Sequence, residues 1–306
     1  MDLPLISIVL CTYNGADFLE KQLQSIYAQS YPNLEIILSD DASSDATKNI
    51  LEKYKNHPAT IINFNKKNIG FAKNFEYGAT LSTGEYIAFC DQDDIWMPQK
   101  IEKLYAAIGN HSLVYSDSRL IDENENALHK NLSDFRKLQN IYTSKGFAFF
   151  NAVSGHTMMA KREILAYSLP TPAGYYHDWW FALQATNLNG VKFLDEKLTL
   201  YRQHDKNVTE NIIVKKLGSR TFSKRYEVFL HELKWIEILA NNRIEKEKCF
   251  YNKLHSLFIL KKTQYYVWPL FWFLLKNRKD IFMFSKKKYT SQFFEIRKYA
   301  RGERTN

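Results

Sequence analysis

Short apolar runs rich in β-branched residues alternate with helix-length amphipathic stretches over the first two thirds of the sequence. This alternation predicts β-strands joined by α-helices, and therefore a parallel sheet with right-handed crossover connections. The predicted strands cover residues 6–11, 34–39, 60–64, 86–90, 113–117, 149–153 and 198–201, and the predicted helices include residues 46–54, 71–81 and 177–188. The predicted fold class is α/β, a mostly parallel sheet flanked by helices.

Polar side chains follow the first four predicted strands at the point where each strand ends. Residues 12–14 follow the first strand, and residues 40–45 follow the second. Residues 68–74 follow the third strand, and residues 91–94 follow the fourth. Because ligands bind outside the carboxyl ends of the strands in such sheets, we expect the four segments to converge on one site.

The run Asp91-Gln92-Asp93-Asp94 places three carboxylates within four residues, directly after an apolar strand. Such carboxylates repel one another, and a divalent metal with oxygen ligands is the cation that suits the end of a buried strand. A solvated acidic turn is the alternative. No glycine-rich phosphate loop of the dinucleotide-binding or P-loop type follows the first strand, so we expect a metal to neutralise any bound phosphates.

The formal charge is divided unevenly along the chain. Residues 1–211 contain 20 Lys or Arg and 25 Asp or Glu, a net charge of −5, whereas residues 212–306 contain 22 and 8, a net charge of +14. We therefore predict two regions with different tasks. These are a catalytic domain in residues 1–211 and a basic, aromatic-rich helical region in residues 212–306.

The basic region contains an aromatic, apolar run at residues 265–275 that lysines and an arginine flank. Pro269 interrupts this run, which is shorter than the roughly 20 residues that a membrane-spanning helix needs. Such a segment is typical of a helix in the interface of an anionic membrane, and packing as core or as an oligomer contact is the alternative. Nucleic-acid binding is not expected, because the acidic front of the chain would repel a polyanion.

The N-terminus and the cysteines bear on location. Residues 1–4 lead straight into a predicted strand, without the basic segment and apolar core of a secretory signal. Cys11, Cys90 and Cys249 are far apart and form neither a disulfide framework nor a zinc pattern. These observations favour a cytoplasmic protein, and the basic, aromatic segment favours a peripheral position on the inner face of the cytoplasmic membrane.

Four of these segments resemble the successive motifs of family 2 glycosyltransferases with the GT-A fold. The segments are residues 8–14 (IVLCTYN), 39–45 (SDDASSD), 68–70 (NIG) and 91–94 (DQDD). The resemblance covers about residues 5–205, and the DQDDIW form with residues 201–204 (YRQH) is similar to the bacterial rhamnosyltransferase-like branch. It implies a GT-A fold with a C-terminal helical extension, a nucleoside-diphosphate-sugar donor, and Mg²⁺ or Mn²⁺ as cofactor.

The resemblance also implies roles for individual residues. Thr12 and Asp41 match positions that contact the nucleotide base, and Asp178 matches the general base of inverting members. Asp93 is the expected metal ligand, helped by Asp91 and by His204. The full set of expected nucleotide-binding residues is Thr12, Tyr13, Asn14, Asp40, Asp41, Asn68, Lys73, Asp91 and Gln92, and the expected acceptor residues are His156, Trp179 and Trp180.

Several of these assignments have plain structural alternatives. Asp178 can serve as a helix N-cap, His204 as a loop histidine and His156 as a hydrogen-bonded core residue. Trp179 and Trp180 are adjacent on a predicted helix and point in different directions, so at most one is expected to stack on a sugar.

The implied activity is transfer of one sugar, with inversion, to a glycan or lipid-linked acceptor in bacterial cell-surface polysaccharide synthesis. The Gln-X-X-Arg-Trp motif of processive synthases is absent from the sequence, which favours a non-processive enzyme. The donor expected from the narrower resemblance is dTDP-rhamnose. A galactosyl- or N-acetylhexosaminyl-transferase that uses a UDP-sugar, or a pseudoenzyme that only binds a nucleotide sugar, remains as the alternative.

Overall fold

The structure is a computed structural model that describes residues 3–205 and 222–303. The chain divides into two compact units. The first is formed by Met1–Ile141 and Val153–Ile212, and the second by Tyr142–Ala152 and Ile213–Asn306. The predicted boundary between residues 211 and 212 lies outside the described residues.

The described residues of the first unit form a nine-stranded sheet. Its strands are β1 (Ile6–Thr12), β2 (Leu34–Asp40), β3 (Thr60–Phe64), β4 (Tyr86–Cys90), β5 (Ile95–Trp96), β6 (Leu113–Ile121), β7 (Ala127–Asn131), β8 (Met158–Lys161) and β9 (Val191–Arg202). The strand order is β3-β2-β1-β4-β8-β6-β9-β5, and β7 pairs with β6.

The four strands that precede the polar segments are neighbours in this sheet. β1 pairs in parallel with β2 and with β4, and β2 pairs in parallel with β3. β8 then lies antiparallel between β4 and β6, whereas β6 and β9 are parallel. The sheet is thus parallel on the side of the predicted site and mixed beyond it, and the predicted α/β class is confirmed.

Amphipathic helices cover the sheet. On the first of them, the apolar residues at helical spacing, Leu19, Leu23 and Ile26, are fully buried. Gly78 lies where the third helix meets β1, and a Cβ at this position would come within 2.6 Å of Val9 Cγ1. The helices of the first unit are α1 (Ala16–Tyr27), α2 (Thr47–Glu52), α3 (Phe71–Leu81), α4 (Lys100–Ile108), α5 (Leu132–Phe135), α6 (Leu165–Ser168) and α7 (His177–Asn187).

The predicted strand at residues 149–153 is wrong. These residues form no strand, and the strand in this part of the chain is β8. The Phe149 ring lies 4.4 Å from the Tyr299 ring, and the Phe150 ring lies 5.3 Å from the Phe282 ring, measured between centroids. The apolar run is therefore explained by aromatic packing inside the second unit.

The second unit is helical in its described residues, as predicted. The Trp235 indole N–H donates to the Phe147 carbonyl (2.9 Å), and the Tyr251 hydroxyl donates to the Ser144 carbonyl (2.6 Å). Among the residues described, no helix has both the length and the apolar character needed to cross a membrane. The helices are α8 (Phe222–Asn241), α9 (Lys248–Ile259), α10 (Trp268–Lys276), α11 (Arg278–Ile281) and α12 (Tyr289–Tyr299), with a 3₁₀ segment at Ser144–Ala148.

Candidate active site

A cavity of about 540 Å³ opens in the first unit at the carboxyl ends of the parallel strands. This volume lies within the range of small-molecule binding sites. Its walls come from the segments that follow β1, β2 and β4 and from the start of α3, which are the polar segments singled out in the sequence. Gly155, the start of α7 and the end of β9 complete the walls.

Asp41 faces the cavity from the end of β2. Its carboxylate accepts hydrogen bonds from the backbone N–H groups of Ile69 (2.9 Å) and Gly70 (2.8 Å) and from the Asn65 side-chain amide (3.0 Å). Gly70 has a φ of 87°, which only glycine adopts readily, so this turn suits its residue type. A carboxylate has about four lone-pair sites, so one remains for an N–H group of a ligand.

Asp40 points away from the cavity, although it is adjacent to Asp41 in the sequence. It is fully buried, accepts a hydrogen bond from the Thr12 hydroxyl (2.9 Å) and another from the Ser43 backbone N–H (2.9 Å), and does not line the cavity. Its predicted contact with nucleotide is therefore corrected to a role in fastening the ends of β1 and β2. Thr12 itself lines the cavity.

The Gln92 side-chain amide forms two hydrogen bonds with the backbone of Tyr13. Its Oε1 accepts from the Tyr13 N–H (2.8 Å), and its Nε2 donates to the Tyr13 carbonyl (3.2 Å). A Cβ on Gly15 would lie 2.2 Å from Gln92 Oε1, so this arrangement requires glycine at position 15. Gln92 thus positions the loop after β1, and Tyr13, which is 49% exposed, lines the cavity with Asn14.

The remaining predicted nucleotide-binding residues separate into two groups. Asn68 and Asp91 line the cavity. Lys73 is exposed and does not line the cavity, and its contact with the nucleotide stays a prediction. On α3 it is Asn74 that faces the cavity, one position further along the helix.

Asp93 and His204 meet at the cavity wall. His204 Nε2 lies 2.9 Å from Asp93 Oδ2, and the two side chains are 7% and 16% exposed, respectively. The buried Arg202 side chain donates from Nε to the Asp93 carbonyl (2.8 Å), which fixes the backbone that carries this carboxylate. The sequence motif at residues 201–204 is thereby brought to the acidic run.

A second acidic group lies beneath the cavity. Asp91, Asp94 and His156 each offer one ligand atom, and these atoms all lie within 4.8 Å of one another. Asp94 is fully buried, accepts from the Arg202 N–H (3.0 Å) through Oδ1, and has no hydrogen-bond partner at Oδ2. A buried carboxylate oxygen without a hydrogen-bond partner, beside a second carboxylate and an imidazole, is compatible with a cation site.

The pKa values in this group are shifted because several charged side chains are buried close together. Burial, with Asp93 and Asp178 nearby, raises the pKa of Asp91 to about 7, although solvent screens part of this effect because the side chain is 38% exposed. Burial also raises the pKa of Asp94 well above its usual value and lowers the pKa of Lys100 to about 7. Lys100 donates to the Thr199 hydroxyl (2.8 Å) and to the His156 carbonyl, and is the cation on the inner side of the cluster.

Only part of this arrangement can reach a ligand in the cavity. Asp91, Asp93 and His204 line it, whereas Asp94 and His156 do not. His156 is 2% exposed, its Nε2 lies 3.0 Å from the Ser118 hydroxyl, and burial lowers its pKa well below the usual value. The predicted acceptor contact of His156 is therefore corrected to a place in the buried polar network.

Asp178 lies in the first turn of α7 and lines the cavity. Its carboxylate accepts from the Trp179 N–H (2.6 Å) and from the Gly155 N–H (3.2 Å). Burial raises the pKa of Asp178 to about 6, and these N–H groups together with Arg136 oppose the rise. A carboxylate with a pKa near 6 is ionised at neutral pH and is a competent proton acceptor.

The two tryptophans behind Asp178 differ in burial. Trp180 is 6% exposed and its indole N–H donates to the Ser168 carbonyl (3.0 Å), so its predicted acceptor contact is corrected to a core position. Trp179 is partly buried and is not among the residues that line the cavity. The aromatic side chain that faces the cavity here is Tyr176, which is 39% exposed.

Sequence reasoning missed other residues of this site. Asp94 and His177 stand directly beside predicted residues, and the sequence offered no signal to distinguish them. Lys100 and Arg202 are cations buried against the acidic run, at 0% and 1% exposure. Charged residues are seldom fully buried unless paired, but their burial becomes visible only in the folded structure.

The fold and the acidic cavity are those expected of a glycosyltransferase of the GT-A class. Comparison with known families identifies the family within that class. The model of Glycosyl transferase family 2 matches residues 7–167. The chain belongs to this family.

Curated relatives agree with the assignment. The chain is 34% identical to "dTDP-rhamnosyl transferase RfbG" of Shigella flexneri over 218 residues, which are 65% of this chain and 72% of the relative. It is 29% identical to an "Uncharacterized glycosyltransferase" of Haemophilus influenzae over 215 residues, 66% of each chain. The chain thus spans about two thirds of the length of the first relatives it matches, and the likeness to a rhamnosyltransferase is confirmed.

Solved structures support the fold. TarS of S. aureus, in complex with UDP-GlcNAc, aligns with a TM-score of 0.58 at 20% identity over 95% of this chain and 79% of that one. The mannosyltransferase PcManGT of Pyrobaculum calidifontis, in complex with GDP-Man and Mn²⁺, aligns with a TM-score of 0.51 at 17% identity over 98% and 86%. At these identities the likeness concerns the fold, and the predicted GT-A fold with C-terminal helices is confirmed.

Proposed function

We propose that the protein is an inverting, metal-dependent, non-processive glycosyltransferase that moves one sugar from a nucleoside-diphosphate sugar to a saccharide or lipid-linked saccharide. The observation that carries the proposal is that Asp178 and the Asp93–His204 pair line one cavity with Thr12, Asp41 and Asn68. A proton acceptor, a cation site and a nucleotide pocket are the parts that such a transfer needs.

The nucleotide occupies the part of the cavity between the ends of β1 and β2. The free lone pair of the Asp41 carboxylate accepts an N–H of the base, since its other sites are held by backbone and Asn65 donors. These bonds also fix the carboxylate before a ligand binds, which lowers the entropy cost of recognition. Asn68 and the Tyr13 backbone segment border the same region.

Asp93, His204 and Asp91 would hold a divalent cation beside the diphosphate of the donor. We favour this set over Asp91, Asp94 and His156, because Asp94 and His156 do not reach the cavity. The Mn²⁺ bound with GDP-Man in PcManGT supports a metal, and either Mg²⁺ or Mn²⁺ suits oxygen-rich ligands. When bound, the ion supplies positive charge that stabilises the departing nucleoside diphosphate.

Asp178 acts as the general base. A sugar hydroxyl is a poor nucleophile at neutral pH, so its proton passes to Asp178 as its oxygen bonds to the anomeric carbon of the donor. The bond from that carbon to the diphosphate breaks in the same step, and its electron pair leaves with the diphosphate. One displacement from the opposite face inverts the anomeric centre, and a single carboxylate suffices, unlike the pair used in glycoside hydrolysis.

The donor we favour is dTDP-rhamnose, on the likeness to RfbG. A UDP-sugar is the second candidate, on the likeness of the fold to that of TarS bound to UDP-GlcNAc. The acceptor is a growing cell-surface glycan carried on a lipid, with the enzyme peripheral on the inner face of the cytoplasmic membrane. The likeness to "Putative teichuronic acid biosynthesis glycosyltransferase TuaG" of Bacillus subtilis, at 33% identity over 114 residues, supports a surface polymer.

Donor binding tests the metal assignment. Thermal shift with dTDP-rhamnose, UDP-GlcNAc, UDP-galactose and GDP-mannose, each with Mn²⁺ or EDTA, should single out one donor whose stabilisation requires the metal. Asp93→Asn should remove the metal dependence and abolish transfer, because the amide lacks the charge that the ion requires. Asp195→Asn, at an exposed position of β9 outside the cavity, is the matched control. Near-wild-type activity of Asp93→Asn at saturating Mn²⁺ would refute the assignment.

A further inference from the structure

Helix α10 of the second unit presents large aromatic side chains to solvent. Trp268 and Trp272 are 61% and 60% exposed, and Tyr265, just before the helix, is 73% exposed. The two tryptophans are four residues apart, which places them on one side of the helix. We call Tyr265, Trp268 and Trp272 the aromatic face. Large aromatic side chains clustered in solvent mark an interaction surface in a folded protein.

The opposite side of α10 holds the aromatic face in place. Leu270 and Leu274 on that side are buried, as is Phe271, which lies between the two sides. The Phe271 ring contacts both tryptophans, with centroid distances of 6.0 Å to Trp268 and 5.1 Å to Trp272. It also packs on α12 through Phe293, at 5.6 Å. The exposed indoles are therefore carried by a packed helix and not by a loose end.

The segment that carries the aromatic face is rich in positive charge. Residues 261–303 contain eleven Lys or Arg and three Asp or Glu, a net charge of +8. Lys276 is exposed in the last turn of α10, one turn beyond Trp272, and Lys262 is exposed just before the helix. Three consecutive exposed lysines, residues 286–288, precede α12, and of these Lys287 pairs with Glu295 (2.6 Å).

The positive charge of this segment and the short length of α10 indicate which partner binds the aromatic face. A second copy of the chain would bring the same cationic surface against itself, which costs electrostatic free energy. α10 has nine residues and is about 14 Å long, too short for the roughly 30 Å hydrocarbon core of a bilayer. Indole rings concentrate at the membrane–water interface, where lysines contact anionic headgroups.

We propose that the aromatic face and its flanking lysines dock on an anionic phospholipid surface, with Trp268 and Trp272 inserted at the level of the headgroups. This inference rests on the membrane placement in the proposed function and names the residues that make the contact. It concerns the second unit alone and requires no particular donor or acceptor.

Vesicle co-sedimentation of the full-length protein tests the proposal. The probes are vesicles of phosphatidylcholine alone and vesicles with 30% phosphatidylglycerol, at about 0.05 and 0.5 M NaCl. We expect binding to the anionic vesicles that weakens with salt. The double variant Trp268→Ser/Trp272→Ser should bind at least about tenfold more weakly, since each substitution removes a large apolar side chain from the contact. Lys276→Gln, which removes one cation, should weaken binding about fivefold.

Two controls separate this inference from the proposed activity. Tyr77→Ser removes an aromatic side chain that is 41% exposed on α3 in the first unit, and should leave vesicle binding unchanged. Circular dichroism and metal-dependent release of nucleoside diphosphate from a soluble donor are measured on every variant. The tryptophan variant should keep its fold and its donor turnover, so a failure of the activity proposal would appear in the wild type as well.

Four outcomes would overturn the proposal. They are equal binding of wild type and the tryptophan variant, equal binding to neutral and anionic vesicles, and tighter binding to a single-stranded oligonucleotide than to anionic vesicles. The fourth is a dimer in sedimentation velocity that the tryptophan substitutions dissolve, which would assign the face to a second copy.

Discussion

Replacing the proposed base by its amide, Asp178→Asn, separates binding from chemistry. The amide is nearly the same size, and its oxygen can still accept from the N–H of Trp179 or Gly155, so the fold at the start of α7 is expected to persist. Because burial raises the pKa of Asp178 to about 6, the wild-type carboxylate at pH 7.5 is ionised in roughly thirty molecules for each protonated one. Nearly the whole enzyme population therefore carries the base, and nearly all of its contribution is lost in the variant.

The expected loss is in kcat. A positioned base contributes about 10²–10⁴-fold, which corresponds to about 3–5 kcal/mol of activation free energy. The assay is release of nucleoside diphosphate in the presence of acceptor, with donor Kd measured separately by calorimetry. We expect kcat to fall by that factor and donor Kd to change less than about threefold. If donor binding were lost while turnover at saturation was kept, Asp178 would belong to the donor pocket and the mechanism would be wrong. Asp195→Asn serves as the control carboxylate.

Three further predictions concern the pKa of Asp178, the hydrogen bonds of Asp41 and the contact between Gly15 and Gln92. In wild type at saturating Mn²⁺, kcat/KM should fall about tenfold for each pH unit below about 6, because the base must be ionised. The residual activity of Asp178→Asn should not show this fall at acid pH. The same fall in both proteins would assign it to another titrating group. Asp41→Asn loses a charged acceptor of backbone N–H groups and should cost about 1.5–3 kcal/mol of unfolding free energy in urea, with weaker donor binding, and an unchanged unfolding midpoint would contradict the bonding. Gly15→Ala brings a Cβ against Gln92 Oε1, at the end of a flexible side chain, so it should displace the Gln92 amide from Tyr13 and cost about 1 kcal/mol; a Gln92→Ala background should remove most of this cost, and an equal cost in that background would show that the clash lies elsewhere.

The convergence of the strand-end segments could be predicted from the sequence, because it depends on period and order alone. Parallel pairing of β1 with β2 and β4 brings Thr12, Asp41 and Asp93 to one edge, as the alternation of strands and helices indicated. The presence of Asp178 and His204 in the site was predicted instead from the resemblance to a family. Their distance from the acidic run in sequence gave no indication of proximity.

What the sequence could not decide is the direction of each side chain within those segments. Asp40 and Asp41 are adjacent and chemically identical, yet one is buried against Thr12 and the other faces the cavity. The turn that follows Asp41 includes Ala42 at a φ of 61°, a conformation rare for alanine that local propensity does not predict. His156 and Trp180 were assigned to the acceptor side on position alone, and tertiary packing buries both.

The predicted strand at residues 149–153 fails for a related reason. A short apolar run fits a strand and a packing segment equally well when periodicity is the only guide. Here Phe149 and Phe150 pack on aromatic residues more than a hundred positions further along the chain. Because these packing partners lie far away in the sequence, they can be identified only in the folded structure.

Donor turnover under metal control tests the central claim most directly. The wild-type protein is incubated with dTDP-rhamnose, UDP-GlcNAc, UDP-galactose and GDP-mannose, with Mn²⁺ or with EDTA, and release of the nucleoside diphosphate is followed over time. We expect that water, in place of the acceptor hydroxyl, slowly hydrolyses one donor with Mn²⁺, that EDTA stops the reaction, and that Asp93→Asn is inactive under both conditions. Turnover that is equal in EDTA and Mn²⁺, or donor binding without any turnover, would contradict the claim that this acidic cavity performs metal-dependent sugar transfer.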